Sequence, residues 1–431
     1  MQSGKFTPRL THQNTKMRIK GQISLPGDKS ISHRALLLAS LSDKDCTIKN
    51  ISSGEDIISS MDCLNHCGIK IEIENQAILV HGDKLKHALL PLNCGNSGTS
   101  ARLLSGLLAG QKISASLIGD SSLSNRPMNR VINPLVKMGA DITSLDGLLP
   151  IHISPANLNA ISYTLPVASA QVKSAILFAG LGADGQTSII EPVKTRDHTE
   201  NMFKHLDLPL SVDETHIKVN RLNNPVPQFN IRIPGDPSSA AFFTASVLLL
   251  PESEVIFTDL LLNQTRTGFF KIIQSMGANV EILNKASVMG ESIGDVKVNY
   301  KLLSSIELGK NDIPAIIDEL PLLAVLATQA EGTTKVHGAE ELRVKESDRI
   351  HAVCTNLSRM GADITELRDG FIINGPTKLN GSDITTFGDH RIAMTFTIAG
   401  LISDGDNHLD DEKCIATSFP EFHQYLDMLI R

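Results

Sequence analysis

Leu135-Val136-Lys137-Met138-Gly139-Ala140-Asp141-Ile142 reads as the end of a short amphipathic helix, a glycine cap and the opening of a strand. The passage recurs as Ile273-Gln274-Ser275-Met276-Gly277-Ala278-Asn279-Val280 and as Leu357-Ser358-Arg359-Met360-Gly361-Ala362-Asp363-Ile364. Leu64 to Ile71 and Phe203 to Leu208 are weaker copies. Glycine just past a helix is the expected C-cap, because it enters the left-handed region without a Cβ clash, and the apolar alternation that follows marks a half-buried strand. A second, more apolar helical run accompanies these copies: Ser30 to Leu38, Gly98 to Leu104 and Ser169 to Leu177. Three more begin near Asp236-Pro237-Ser238-Ser239, Asp318-Glu319-Leu320-Pro321 and Asp389-His390-Arg391-Ile392. The six starts recur roughly every 70 residues, a period long enough for a whole supersecondary unit that must stack on its neighbours. Each unit is predicted as strand, helix, strand, helix, strand, strand, which makes the chain α/β.

The sixth copy is cut short, since the chain stops at Arg431 soon after Phe419-Pro420-Glu421-Phe422-His423-Gln424-Tyr425-Leu426. Lys16-Met17-Arg18-Ile19-Lys20-Gly21-Gln22-Ile23 has no helix before it, and the N-terminal strand is therefore expected to complete the last unit and bring both termini into one domain. Leu25-Pro26-Gly27-Asp28 and Ile233-Pro234-Gly235-Asp236 are matching turns and the natural hinge crossings. They predict one domain over 24–234, with repeats one to three, and another made of 1–23 with 235–431, with repeats four to six.

A chain of 431 residues at 41% hydrophobic can bury two sizeable cores, and with 4% aromatic and no Trp those cores should be aliphatic. A net charge of −7 and scattered basic residues argue against nucleic acid as a partner. The longest apolar stretch, Ala240 to Leu250, is too short to span a bilayer, and the basic N-terminus lacks the apolar core of a signal peptide; a soluble cytoplasmic protein is expected. Six irregularly spaced cysteines read as reduced thiols, with Cys63 and Cys67 sharing a helix face rather than a zinc site.

Function is legible at the helix starts. A helix N-terminus presents unpaired N–H groups and partial positive charge, so it favours phosphates and carboxylates. Equivalent starts in six units, on two domains that face each other, would converge on one cleft fit for a multiply charged anion. Lys29, Ser30, Arg34, Asn96, Ser97, Gly98, Thr99, Ser169, Gln171, Asp318, Asp389, His390 and Arg391 lie there. Capping accounts for Asp236, Ser238 and Asp389. It does not account for Lys29, Arg34 and Arg391, cations that oppose the helix dipole unless an anion is shared. Of the charged run Arg343-Val344-Lys345-Glu346-Ser347-Asp348-Arg349, the members Arg343, Ser347 and Asp348 read as a solvated, ion-paired helix start.

Leu25-Pro26-Gly27-Asp28-Lys29-Ser30-Ile31-Ser32-His33-Arg34, Gly95-Asn96-Ser97-Gly98-Thr99, Arg126-Pro127-Met128, Ser169-Ala170-Gln171, Arg343 to Arg349 and Gly388-Asp389-His390-Arg391, in this order over nearly the whole chain, resemble the 5-enolpyruvylshikimate-3-phosphate synthases, or 3-phosphoshikimate 1-carboxyvinyltransferases. The resemblance implies a two-domain inside-out α/β barrel of six βαβαββ units, three per domain. It also implies transfer of the enolpyruvyl group of phosphoenolpyruvate to the 5-hydroxyl of shikimate 3-phosphate, with release of phosphate, on the way to chorismate and the aromatic amino acids. By resemblance Glu346 is the proton donor, Asp318 the base and Lys29 the bridge between the substrates. Lys29, Ser30, Arg34, Ser169, Ala170, Gln171, Thr195, Asp318 and Lys345 would contact shikimate 3-phosphate. Lys29, Asn96, Gly98, Arg126, Gln171, Arg349, His390 and Arg391 would contact phosphoenolpyruvate.

Ala170, Glu341 and Thr417 stand where the better-known form has Ser, Asn and Lys, and with Arg196-Asp197-His198 they look more like the second bacterial class. Gly98 would leave room for the inhibitor glyphosate. Enolpyruvyl transfer to UDP-N-acetylglucosamine is the neighbouring alternative, but that family carries a Cys in the loop matching Ser121 to Arg126, which has none. A non-catalytic sensor of phosphorylated metabolites is the other alternative, set against the presence of Lys29, Asp318 and Glu346. Lys and Arg supply the charge a metal would, so no metal or other cofactor is expected, and a monomer that closes on its first substrate is.

Overall fold

The computed structural model describes residues 17–74 and 77–431. Residues 1–16, where the reading of the N-terminus as lacking a leader falls, lie outside the described residues. The architecture is a two-domain α/β fold with six inner helices: Lys29–Ala39, Gly98–Gly110, Ala170–Gly180, Pro237–Leu249, Leu320–Ala327 and His390–Gly400. Each begins where the apolar runs begin. Asp28, Ser97, Ser169, Asp236 and Asp389 cap five of them through their side chains, accepting from N–H groups of the first turn that have no partner within the helix. Pro237–Leu249 is buried on nearly every side, as expected of a helix with no polar face. Gly106 shows how closely these helices pack: a Cβ there would lie 2.1 Å from the carbonyl oxygen of Ala175 on the neighbouring helix. No helix among the described residues is long and apolar enough to cross a membrane.

The second helix of each unit also falls where it is predicted: Glu55–His66, Asn129–Lys137, His198–His205, Gly268–Ser275, Arg349–Arg359 and Phe422–Leu429. Gly68, Gly139, Gly277 and Gly361 follow four of them with φ of +86°, +95°, +104° and +90°, and Asp207 takes the same place in the weak third copy at +53°. The left-handed turn sends each chain back into an antiparallel strand. The second unit shows the resulting sheet: Leu92–Asn93 runs parallel to Ala115–Ile118, which pairs antiparallel with Ile151–Ser154, itself paired with Asp141–Ser144.

Two strands depart from unit order. Lys20–Ser24 leads into the helix Lys29–Ala39, yet pairs in parallel with Glu254–Leu261 of the fourth unit. Asn230–Arg232 leads into Pro237–Leu249, yet pairs in parallel with Cys46–Lys49 of the first. The expectation that the N-terminal strand completes the last unit is therefore corrected: it completes the fourth. The sixth unit keeps only a two-stranded sheet, Asp383–Ile384 with His408–Leu409. The first described residues still meet the C-terminus, through a bridge between Ile19 and Ile430. The reason is geometric: the truncated unit offers no long strand to pair with, whereas Glu254–Leu261 has a free edge one helix downstream of the exchanged crossing.

Buried apolar side chains form two clusters. One runs from Ile31 to Ile233 and adds Leu261 and Met289; the other joins Ile19, Ile23 and Leu25 to Ala240 through Leu429. At the crossings, Gly27 bridges Gly235, the Asp28 N–H donates to the Pro234 carbonyl at 2.8 Å and the Asp236 N–H to that of Pro26 at 3.1 Å.

The left-handed caps carry a stability prediction. Gly277→Ala meets no close atom, so its loss of about 1–2 kcal/mol should come from backbone strain alone. Asp207→Gly should stabilise the protein by up to about 1 kcal/mol, since it relieves the same strain. Urea unfolding of the two variants, expected to shift in opposite directions, checks both.

Candidate active site

The starts of the inner helices bring charged groups from both clusters to one cleft. Asp318, just ahead of Leu320–Ala327, lies at its centre. One oxygen is 3.5 Å from Lys345 Nζ and 3.4 Å from Arg349 Nη1; the other accepts from Arg196 Nη2, and its main-chain carbonyl accepts from Arg391 Nη1 at 3.1 Å. Burial pushes the Asp318 pKa up, but the charges of Lys345, Arg391, Arg196 and Arg349 outweigh it and hold the group well below its ordinary value. It is a carboxylate at neutral pH.

Glu346 has a similar setting. Its oxygens lie 2.7 Å from Arg349 Nη2 and 3.4 Å from Arg126 Nη1. Burial again opposes ionisation, and Arg349 and Arg126 overcome it, so the carboxyl sits well below its usual range. Arg349, 1% exposed, joins three carboxylates: besides Asp318 and Glu346 it donates through Nε to Asp389 at 2.8 Å. Asp389 is thus more than a cap, and so is Asp236, which pairs with Arg266 at 2.7 Å. Ser238 donates to Glu319 rather than capping. His390 is buried; burial and then the nearby Lys29 lower its pKa to about 4, so the imidazole is neutral at pH 7.

On the facing wall, Lys29 Nζ meets Asp56 at 2.8 Å. Arg34 donates to the hydroxyls of Thr199 and Ser174, each at 2.7 Å, and to the Ser30 carbonyl at 2.8 Å; burial, outweighing Glu200 and Asp28, lowers its pKa to about 10. Arg126 Nη2 donates to Asn96 Oδ1 at 2.6 Å, and Asn96 in turn donates to Asp120 at 2.6 Å. Gln171 donates to the Thr99 hydroxyl at 2.9 Å and accepts from Arg102 at 2.8 Å. Arg102 is half-buried; its loss of hydration, then the neighbouring Arg126 and Arg130, lower its pKa to about 10. Guanidinium groups that repel one another in a partly buried wall favour a bound anion. Ser169 caps its helix, Ala170 opens it, and Thr195 donates its hydroxyl to the buried Glu191 at 2.9 Å.

Sequence reasoning did not single out Arg196, Arg102, Arg130 or Asp56 as site residues. Arg196 follows Thr195 and is the member of that loop that crosses the cleft to Asp318. Arg130 forms a two-pronged pair with Glu341 at 2.9 and 3.1 Å, which gives the Asn-to-Glu departure a structural partner. Arg102 lies one turn after Gly98, a spacing that carries a signal. Arg343 pairs with Asp348 and Glu366, as the ion-paired reading expects.

The family model for EPSP synthase (3-phosphoshikimate 1-carboxyvinyltransferase) matches residues 13–426. The chain belongs to the EPSP synthase family. The 3-phosphoshikimate 1-carboxyvinyltransferase of Thermodesulfovibrio yellowstonii is 45% identical over 418 residues, covering 95% of this chain and 97% of that one. That of Alkaliphilus metalliredigens is 44% identical over 423 residues, with 97% and 99% covered. The solved EPSP synthase of Acinetobacter baumannii superposes with a TM-score of 0.86 at 39% identity, covering 97% of this chain and 98% of that chain. Membership makes the protein a transferase of the shikimate pathway and supports the inside-out α/β barrel.

The EPSP synthase cleft stores carboxylates whose folded-state pKa values are depressed. Their stabilising contribution is complete above the unfolded value, about 4, and is lost as pH falls through the folded one. Stability should therefore drop below about pH 4, and Asp389→Asn should flatten that drop in acid titrations followed by circular dichroism.

Proposed function

We propose that the protein transfers the enolpyruvyl group of phosphoenolpyruvate to the 5-hydroxyl of shikimate 3-phosphate by addition and elimination through a tetrahedral intermediate. Asp318 takes the proton of the attacking hydroxyl, Glu346 delivers one to the methylene carbon, and Lys29 bridges the substrates. The observation that carries this reading is the joint placement of two half-buried carboxylates, tied by Arg349, in a cleft lined with cations from both halves. Asp318, held as carboxylate, is ready to act as a base.

Glu346 starts in the wrong form for an acid, because Arg349 and Arg126 keep its carboxyl ionised. Phosphoenolpyruvate brings both a phosphate and a carboxylate. Once it shares those guanidinium groups, their hold on Glu346 weakens and its own negative charge favours the protonated acid, so the pKa rises. Glu346 thus becomes a proton donor in the loaded site. The elimination step reverses the movement: a methyl proton leaves, the double bond re-forms and phosphate departs. Arg126, Arg349, Arg391 and neutral His390, with Asn96, Gly98 and Gln171, hold phosphoenolpyruvate. Ser30, Arg34, Ser169, Ala170, Gln171, Thr195 and Lys345 hold shikimate 3-phosphate with Lys29 and Asp318. The two core clusters support domains of 24–234 and of 1–23 with 235–431, which close about the paired crossings. A cytoplasmic monomer completes the proposal.

Phosphate release from phosphoenolpyruvate should require shikimate 3-phosphate and should not occur with UDP-N-acetylglucosamine. Glu346→Gln should lower kcat by about 10²–10⁴-fold, the range for loss of a general acid. Titration calorimetry in buffers of different ionisation enthalpy should show more proton uptake on phosphoenolpyruvate binding in the parent than in Glu346→Gln; equal uptake overturns the protonation argument. Gly98→Ala places a Cβ 2.6 Å from Arg102 Nη1, so it should raise both the KM for phosphoenolpyruvate and the glyphosate concentration needed for inhibition.

A further inference from the structure

Arg266 lies outside the cleft, in the turn between the strand Glu254–Leu261 and the helix Gly268–Ser275. Its side chain is 3% exposed. One nitrogen, Nη2, is 2.9 Å from Asp28 and 2.7 Å from Asp236. Those carboxylates cap the first helices after the two crossings, and the Asp236 carboxylate also accepts from the main-chain N–H of Lys29 at 3.1 Å. The same Nη2 reaches the Ser238 hydroxyl at 3.1 Å; Ser238 donates to Glu319, which lies 3.5 Å from Arg391.

The turn that carries Arg266 is itself held. Asn263 Oδ1 accepts from the Thr265 main chain at 2.8 Å and hydroxyl at 2.7 Å. Asn263 Nδ2 donates to Asp197 and to Glu291, each at 2.7 Å, and Glu291 also meets His198 at 2.7 Å. Asp197 is the neighbour of Arg196. This one turn therefore touches both crossings and the base of the loop that reaches Asp318.

We propose that Arg266 is a positioning residue for the transfer reaction: a buried cation that neutralises Asp28 and Asp236 together, holds the two crossings at their closed spacing, and through them sets Lys29 and Arg391. Without it two buried carboxylates face each other across the crossings, and their repulsion drives the halves apart. The proposal rests on the reading of Lys29 and Arg391 as substrate-holding groups. The carboxylates alone cannot do this work, since both carry the same charge.

The test compares Arg266→Met, Arg266→Lys and the charge-balanced double variant Arg266→Met with Asp236→Asn, with Lys29→Met and Arg391→Met as controls. Arg266→Met should lower kcat/KM for phosphoenolpyruvate about 100-fold, the scale of a misplacement near 1 Å. It should also give a larger radius of gyration with shikimate 3-phosphate bound. Arg266→Lys and the double variant should each recover activity and compactness together. If Arg266→Met does not fold, the double variant decides: folded but as inactive as the controls, with parental scattering, it overturns the proposal. A folded Arg266→Met within about threefold of the parent also overturns it. Full activity in Lys29→Met and Arg391→Met would instead overturn the site reading on which it rests.

Discussion

The carboxylate of Asp318 lies among Lys345, Arg349, Arg391 and Arg196, and the rest of the cleft is arranged around the charge problem this creates. Buried cations repel strongly where water cannot screen them, so they can be gathered only if carboxylates are gathered with them. The division is directional. Three ion pairs cross the cleft, Arg126 with Glu346, Arg130 with Glu341 and Arg196 with Asp318, and in each the cation belongs to the first core's side and the carboxylate to the second. One wall is short of negative charge and the other supplies it. That complementarity favours the approach of the walls, and it places substitutable anions where the proposed polyanionic substrates would sit.

Strand exchange gives this approach its axis. Lys20–Ser24 and Asn230–Arg232 each lie in the sheet of one side and feed the first helix of the other. A turn of either strand relative to its helix moves one wall against the other, while the paired backbones at Gly27 and Gly235 keep the crossings together. The proposed closure would be confined, because two linkers hydrogen-bonded to each other restrict rotation more than one would. The polarity at this end is reversed: Arg266 comes from the second core's side and Asp28 from the first.

Much of the fold was readable because repetition multiplies weak signals. Met138-Gly139-Ala140 alone is an ordinary helix end, but with Met276-Gly277-Ala278 and Met360-Gly361-Ala362 it fixes a period, and the three glycines share the left-handed conformation. Strand exchange was not readable, since Lys20–Ser24 has the same alternation whichever edge it joins; pairing partners depend on which edge is free, a tertiary fact. The site shows the same boundary. Lys29, Arg34 and Arg391 stood out because they oppose a helix dipole, whereas Arg196 lies ahead of a helix start in a loop and Arg266 in a turn, where a cation breaks no local rule. Asp236 and Asp389 fit the capping rule so well that the rule concealed their second partners, Arg266 and Arg349.

Cations at helix N-termini are tolerated here because carboxylates stand against them: Asp56 beside Lys29, and Asp318 with Glu319 beside Arg391. At these two ends Asp28, Asp236 and Asp389 already accept first-turn N–H groups, so what a bound phosphate or carboxylate takes over is the pairing with the cations. It carries more acceptor oxygens than one side-chain carboxylate, so it competes effectively for guanidinium groups. On the proposed roles, the displaced groups would include Asp318 and Glu346, the base and the acid. Substrate binding and adjustment of the acid and base would then be one electrostatic event: the anion that occupies the cations would also release the carboxylates to titrate, tying protonation of Glu346 to the presence of the double bond that needs the proton.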